Sequence, residues 1–429
     1  MPIVDGTPPI LHRFFAVLAG AVREHQRRTV VALVLVYAIT FGKRNLLSIY
    51  QQVALDRIRQ RICAALNNPK VRISDSVRAT AKFIVEEMQL PEGEEIFLIL
   101  DPTKKAKRGK KMQAAHWFHD SSSKRKVWGH QFAFAALRVR GRTIPWAVEL
   151  FAPRSFCDGA AGQALGLRYR SLQKISADMI GSLPAEWRRK YRIIVLFDSA
   201  LFVKPVLEVV EHLGLTYVSR AQSNRAFWPE GWRGRKTHLE SCRYQIHLSD
   251  EKRVRIKSDA GTTEIFRAAY RDGKMRDAEK VRVVFSCRDR GGKIVCLVTN
   301  DRKLSPIQIL ETYAQRWWIE VLFKQLKGLL GFGDYQTRHF TGVWNHASVV
   351  ALAHQQLTFL GVASPEKTRR RAHEESKLPR IAALQDRLRS LVSFEKVEHL
   401  LREVRSPSIR EKLGALFRVP QQLLRPMRV

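Results

Sequence analysis

The sequence predicts an α/β protein with helical N- and C-terminal regions, on three observations. Two short apolar runs, Ile96–Leu100 and Ile193–Phe197, have the unbroken hydrophobicity of strands buried on both faces. Residues 223–303 carry short alternating runs of the kind that pair as antiparallel strands. Residues 1–90 and those beyond about 345 have helical spacing.

The elements follow in order. Val30 to Ile39 is apolar, Phe41-Gly42-Lys43-Arg44 breaks it as a basic turn, and Leu46 to Leu66 mixes apolar and basic positions. Helix, basic turn, helix suits a small DNA-binding module and equally suits plain helical packing. The first buried strand ends in Asp101-Pro102-Thr103. A cationic loop follows, Lys104-Lys105-Ala106-Lys107-Arg108-Gly109-Lys110-Lys111, either solvated or in contact with phosphate. Gln131 to Val139 and Thr143 to Phe151 flank Arg140-Gly141-Arg142 as a hairpin. Residues 160–190 read as helical, and the second buried strand also ends in an aspartate, Asp198. A helix at about 202–213 and a strand from Thr216 to Arg220 come next. Within 223–303, Tyr244 to Leu248 and Arg253 to Ile256 alternate, and Val281 to Cys287 pairs with Lys293 to Thr299 around Arg290-Gly291-Gly292. This block reads as an insertion ahead of a helix at 306, and Thr368 to Lys377 as a basic, mobile stretch.

Charge narrows the function. Lys plus Arg number 75 against 40 Asp plus Glu, a net +35 with a pI near 10.6. Basic residues occur along the whole chain, which favours a polyanionic partner, nucleic acid ahead of an anionic membrane. With 429 residues and 45% hydrophobic content, the chain is long and apolar enough for several packed cores. The five cysteines, Cys63, Cys157, Cys242, Cys287 and Cys296, are scattered without CxxC spacing, which suits a reducing compartment and gives no zinc signature. The longest apolar run, Val30 to Phe41, is too short to span a bilayer, and no signal-peptide pattern opens the chain. The expectation is a cytoplasmic, nucleoid-associated protein with no membrane partner.

The chemistry concentrates on the helix that follows the insertion. Ser305-Pro306-Ile307-Gln308 opens it with an N-cap serine, a proline at the first helical position and a capping-box glutamine. At about 100° per residue, Tyr313, Arg316, Glu320, Lys324 and Lys327 fall within one stripe. Trp318, Ile319, Leu322, Leu326 and Leu329 form the opposite, apolar side. Glu320 and Lys324 also satisfy the spacing of an ordinary i,i+4 surface pair, contributing about 0.3–0.5 kcal/mol. Carboxylates at the carboxyl ends of neighbouring strands converge at a sheet edge, so Asp101 and Asp198 are candidates to meet Glu320. Three acids facing one point call for a cation, and oxygen-only ligands suit Mg²⁺ or Mn²⁺. Two such ions serve in-line phosphoryl displacement. Asp101 and Asp198 have a plainer reading, turn initiation and helix capping.

Asp-bearing strand, hairpin, helix, Asp-bearing strand, β-rich block and Glu-bearing helix together resemble the ribonuclease-H-like core of bacterial insertion-sequence transposases of the Asp-Asp-Glu type. Tyr313, Arg316, Glu320 and Lys327 resemble the Tyr-Arg-Glu-Lys signature of the subgroup whose core is interrupted by a β-rich insertion, and Trp317 fits that pattern. Asp101-Pro102-Thr103 departs from the commoner flavours of the first motif but keeps its aspartate and threonine. The resemblance spans roughly residues 94–345. It implies a mixed-sheet core and the following domains: a helical DNA-binding region (1–90), a first core half (91–222), a β-rich insertion (223–303), a second core half (304–345), and a helical region serving dimerisation (346–429).

The resemblance also implies roles. Asp101, Asp198 and Glu320 would be catalytic and hold two Mg²⁺ or Mn²⁺ ions. Tyr313, Arg316, Lys324 and Lys327 would grip the DNA backbone, with Lys104 and Lys105 beside them. The partners would be double-stranded DNA, both element ends and target, and a second copy of the chain in the synaptic complex. Trp228 and Trp232 are candidates to hold a flipped base, although the plainer reading, ordinary tryptophans of a β core or turn, is the favoured one. His116, His119 and His130 lack partners at metal spacing, so DNA contact or packing suits them better. Ser199 has neither nucleophile-elbow glycines nor an obvious histidine partner. The rival readings are a catalytically idle DNA-binding relative, a structure-selective nuclease of the same fold and a nonspecific RNA-binding protein.

Overall fold

In the computed structural model, the described residues are 7–40, 42, 58–120, 124–244, 252–257, 263–287, 294–363 and 380–403. Most of Phe41-Gly42-Lys43-Arg44, the start of Leu46–Leu66, most of Tyr244–Leu248, the Arg290-Gly291-Gly292 turn and Thr368–Lys377 lie outside them.

The two apolar runs form strands β1 (Glu95–Leu100) and β6 (Arg192–Phe197), numbered in chain order and paired in parallel with Leu100 opposite Phe197. Between them lie β2 (Thr103–Ala106), β3 (His116–Asp120), β4 (Arg125–Val139) and β5 (Arg142–Leu150). After β6 comes β7 (Thr216–Ala221), parallel to it. The core order β5-β4-β1-β6-β7, antiparallel on one side of β1 and parallel on the other, is consistent with a ribonuclease-H-like mixed sheet. The β4–β5 hairpin turns at Arg140 (φ +43°) and Gly141 (φ +70°), the left-handed pair that a twisted two-residue turn requires.

Strand β4 organises the neighbourhood of Asp101. Its 15 residues pair along one edge with β1 and then β2, and along the other with β5 and then β3. Asp101 and Pro102 occupy the break between β1 and β2, where the Asp101 N–H still donates to the Phe134 carbonyl at 3.1 Å. The reading of Lys104–Lys111 as loop is therefore corrected in its first part. Lys104 and Lys105 belong to β2, held by β4 while Thr103 is buried beneath. Lysine depletion in strands is a weak preference, and an available strand edge overrides it.

Beyond β7 the sheet continues through β8 (Ala226–Pro229), β9 (Thr237–His238), β10 (Lys252–Lys257), β11 (Thr263–Met275), β12 (Ala278–Cys287) and β13 (Val295–Thr299). Strand β13 pairs with both β12 and β7, so these antiparallel strands extend the core sheet rather than hanging from it.

Helices cover the sheet. The N-terminal ones are α1 (His12–Gly20), α2 (Arg27–Ile39), α3 (Ile58–Asn67) and α4 (Ser74–Glu87). Helix α5 (Lys204–His212) joins β6 to β7. Past the antiparallel block come α6 (Pro306–Ala314), α7 (Trp317–Gly328), α8 (Phe340–Val362) and α9 (Ile381–Glu403). Helix α8 is buried almost all round and packs against β5, α2, α3, α4 and α9. Several of its buried polar residues are paired: Asn345 accepts from the Ile73 N–H, His346 pairs with the Tyr37 hydroxyl and Gln355 accepts from Thr80, whereas the buried Gln356 amide has no partner among the described residues. Helix α2 gives Val30, Val31 and Leu33 to Ala38 to this core.

The single helix expected after residue 305 is two. Gln315 and Arg316 keep right-handed helical angles, but the N–H groups of Gln315, Arg316, Trp318 and Ile319 bond three residues back, a 3₁₀-type joint between α6 and α7. Ile319, Leu322 and Leu326 are fully buried, as the apolar stripe predicts, while Trp318 and Leu329 are only half-buried. The capping box is complete, with Ser305 Oγ accepting from the Gln308 N–H and Gln308 Oε1 accepting from the Ser305 N–H at 2.9 Å. Ser305→Ala is expected to cost about 1 kcal/mol, read as a lower urea midpoint at unchanged slope. No loss would show that the α6 terminus is held by packing alone.

Candidate active site

The site lies at the carboxyl ends of the parallel strands. Asp101 and Asp198 each follow the last residue of a strand by one position, and Leu100 and Phe197 are register partners. Neighbouring strands lie about 4.8 Å apart, so the two aspartates leave the sheet side by side. The 3₁₀ joint brings Arg316 across them. Its Nη1 donates to Asp101 Oδ2 at 3.4 Å and its Nη2 to Glu320 Oε1 at 2.8 Å. One guanidinium thus links the first and third acids, 215 and 4 residues away in sequence. Glu320 bonds Arg316 here, and no bond to Lys324 is described; Lys324 is exposed.

Electrostatics places Asp198 in the same cluster. Burial pushes the Asp101 carboxyl up to about 6; the Arg316 guanidinium opposes this, Asp198 and Glu320 add to it by like-charge repulsion, and Lys327 opposes it. Burial works against the Arg316 charge, but Tyr313, Asp101, Glu320 and Asp198 more than offset it, and its basicity rises. Tyr313 is pushed up to about 12, chiefly by burial; Arg316, whose guanidinium lies 5.7 Å from its ring centre, opposes this, as does Arg220 at the end of β7, while Asp198 adds to it.

Asp198 does not follow the plain capping reading. It precedes a short 3₁₀ turn (Ser199–Leu201) yet makes no side-chain cap bond to it. Its Oδ1 is buried with no hydrogen-bond partner. A buried carboxylate oxygen without a donor is costly, and capping does not explain it.

The donor set suits a hard divalent cation. Three carboxylates supply only oxygen, one of those oxygens is orphaned, and the present countercharge is the Arg316 guanidinium. As arranged, no three His, Cys, Asp or Glu side chains among the described residues converge as a ligand group. Arg316 bonds both Asp101 and Glu320, so its guanidinium balances their charge in this arrangement.

The cationic side of the site comes from β2 and α7. Lys327, exposed as a residue, has its ammonium pulled below the ordinary lysine value by burial and by Lys105, against the attraction of Asp101 and Asp120. Lys105 lays its stem over Gly333, whose φ of +93° and missing Cβ allow the approach. Lys104 turns away, donating to the His119 carbonyl at 2.6 Å. Lys107, not singled out in the sequence, ties β2 to the segment after α7 by bonding the Gly333 and Tyr335 carbonyls at 2.7 and 2.9 Å. Arg220 and Asp120 also border the cluster without a sequence signal, because only tertiary structure brings them there.

The remaining candidates stand apart. Trp228 lies half-buried on β8 opposite Lys274 of β11, and Trp232 packs partly against the core. No contact that the structure describes joins either to the acids. His130 is a packing residue: buried, bonded to the Tyr335 hydroxyl and the Gln113 carbonyl, and lowered to about 4, first by burial. His116 bonds Gln131 and the Ala114 carbonyl.

A mixed sheet carries two acids at neighbouring strand ends, with a third on a following helix and cations alongside. The sequence model of a family described as DDE superfamily endonuclease matches residues 13–278, more than half of the chain, and the protein belongs to that family. The domain is thus that of an enzyme acting on DNA phosphodiesters. Asp101 and Asp198 fall within the match, and Glu320 lies beyond it. No curated protein matches the chain. No described helix is long and apolar enough to cross a membrane.

Proposed function

We propose that the protein is a DNA transposase that cuts at insertion-sequence ends and joins the freed 3′-OH to target DNA. The observation that carries this reading is the sharing of Arg316 by Asp101 and Glu320 beside the orphaned Asp198 Oδ1. In this reading residues 1–90 bind DNA, 91–222 and 304–345 form the catalytic core, 223–303 are an insertion, and 346–429 serve dimerisation.

Asp101, Asp198 and Glu320 would hold two Mg²⁺ or Mn²⁺ ions. When bound, these ions would activate the attacking oxygen and stabilise the leaving one. The chain's residues do the positioning. Lys327 and Lys105 lie together next to Asp101 and offer two ammoniums to the phosphate backbone near the scissile bond. Lys324, exposed on the same helix, extends the contact, and Lys104 continues it once released from the His119 carbonyl. Tyr313 stays a neutral phenol and hydrogen-bond donor at working pH. Arg316 reaches phosphate by exchanging one carboxylate partner for it, an even trade of charge-assisted bonds.

In the first step, water adds to phosphorus and the 3′-oxygen leaves as a hydroxyl. In the second, that hydroxyl attacks a target phosphodiester and displaces the target's own 3′-oxygen. One phosphodiester replaces another, so no energy source is consumed. Supercoiled target and end-bearing duplex incubated with protein and Mn²⁺ should give end DNA covalently attached to target through its 3′ terminus, with none from Glu320→Ala. Cleavage without joined product would reduce the activity to that of a nuclease.

A further inference from the structure

The β3–β4 ladder carries an aromatic ledge to which the catalytic reading gives no task. Trp117 is 63% exposed, the most exposed large hydrophobic residue described. It stands directly opposite Trp128, with ring centroids 5.8 Å apart in an edge-to-face arrangement. Trp128 is fixed by donating its indole N–H to the Gly109 carbonyl at 3.0 Å. One ring is thus anchored, and the other leans on it with a face open to solvent.

The surroundings are cationic and close to the acids. Gly109 lies between exposed Arg108 and exposed Lys110 and Lys111, and exposed Lys126 sits two cross-strand pairs from Trp128. By strand alternation Trp117, Trp128, Lys126 and Lys105 share one face of the ladder. Lys105 neighbours Lys327 on that face, and Asp120, three residues along β3 from Trp117, acts on the same ammonium. An apolar protein partner would have to bury these charges unpaired. A strand of nucleic acid pairs them with phosphate while a base covers the indole.

We propose that Trp117, backed by Trp128, is a stacking platform for an unpaired nucleobase of the DNA held in the active site. This rests on the DNA-processing reading above, and Trp117 rather than Trp228 or Trp232 is the stacking residue. Stacking of a base on an aromatic side chain is sequence-tolerant, so the ledge recognises unpaired structure rather than a particular letter.

The test is binding of the full chain, without divalent ions, to two duplexes of equal length. One is blunt and fully paired, the other ends in a short single strand carrying 2-aminopurine. Trp117→Ala should weaken binding of the single-stranded-end duplex by roughly 10- to 100-fold, remove the 2-aminopurine quenching and leave the blunt duplex unchanged. Trp117→Phe should retain most of both signals. Because Trp117 is exposed, its substitutions should leave the melting temperature unchanged, which the same preparations show. Equal weakening of both duplexes, or undiminished binding and quenching in Trp117→Ala, overturns the proposal while leaving the nuclease reading intact. Failure of the unmodified chain to bind either duplex overturns both.

Discussion

Asp198→Asn is expected to lower DNA cleavage by about 10³-fold or more while leaving DNA binding equal or stronger. A catalytic ion supplies several kcal/mol of transition-state stabilisation, and each 1.36 kcal/mol is tenfold in rate. The substitution keeps the side chain's shape, removes its charge and exchanges one acceptor oxygen for an NH2 donor. Of the three acids, Asp198 gives the cleanest test. Asp101 and Glu320 both bond Arg316, so replacing either also frees a guanidinium. Asp198 has no such partner at its buried oxygen and caps no helix, so the variant breaks no protein–protein bond there. Binding should not fall, since the change adds a positive increment to a chain already at +35. Nicking assayed with Mn²⁺ and anisotropy on the same duplex give the two readouts. Cleavage within a few-fold of the unmodified protein would remove Asp198 from the catalytic centre.

What was legible in the sequence is what depends on neighbours in the chain. The Ser305–Gln308 box needs four consecutive residues, and it formed as read. The runs at 96–100 and 193–197 announce doubly buried strands through composition alone, so the placement of two aspartates at strand ends followed directly. Elements that depend on distant partners were not legible. Lys104 and Lys105 become strand because β4 offers an edge, and β4 itself begins six residues before the hydrophobic pattern does, in Arg125–His130, where pairing with β3 compensates for charge. The joint at Gln315–Arg316 interrupts a pattern that reads as one continuous helix. Its result, a guanidinium shared by acids on a strand end and a helix, exists only in three dimensions. Periodicity gave Trp117 no prominence, because its importance lies in the cross-strand partner and the exposure, neither of which is written locally.

Divalent cation should stabilise the protein at pH 8 and progressively less as pH falls through about 6. The sign follows from Asp101. Its folded-state value, about 6, lies above the ordinary 3.8, so the folded state holds this proton more tightly than the unfolded state does. The stability that the proton confers is fully present below about pH 4 and is lost as pH rises through about 6. Above that pH the ionised carboxylate costs the metal-free protein about 3 kcal/mol, two pKa units at 1.36 kcal/mol each. Asp101→Asn is therefore expected to raise the melting temperature of metal-free protein at pH 8, less the contribution of the lost Arg316 contact, and to do little at pH 5. A cation binds the ionised form and competes with the proton. Saturating Mn²⁺, at about 100 times its dissociation constant, would add about 2.7 kcal/mol at pH 8, seen as a rise of a few degrees. That rise should shrink below pH 6 and be absent in Asp101→Asn at any pH. Calorimetric scans of the two proteins with and without Mn²⁺ at pH 5 and 8 separate the effects. A Mn²⁺ shift of equal size at both pH values, or one that survives Asp101→Asn, would place the cation away from Asp101 and leave the raised carboxyl a cost without a compensating function.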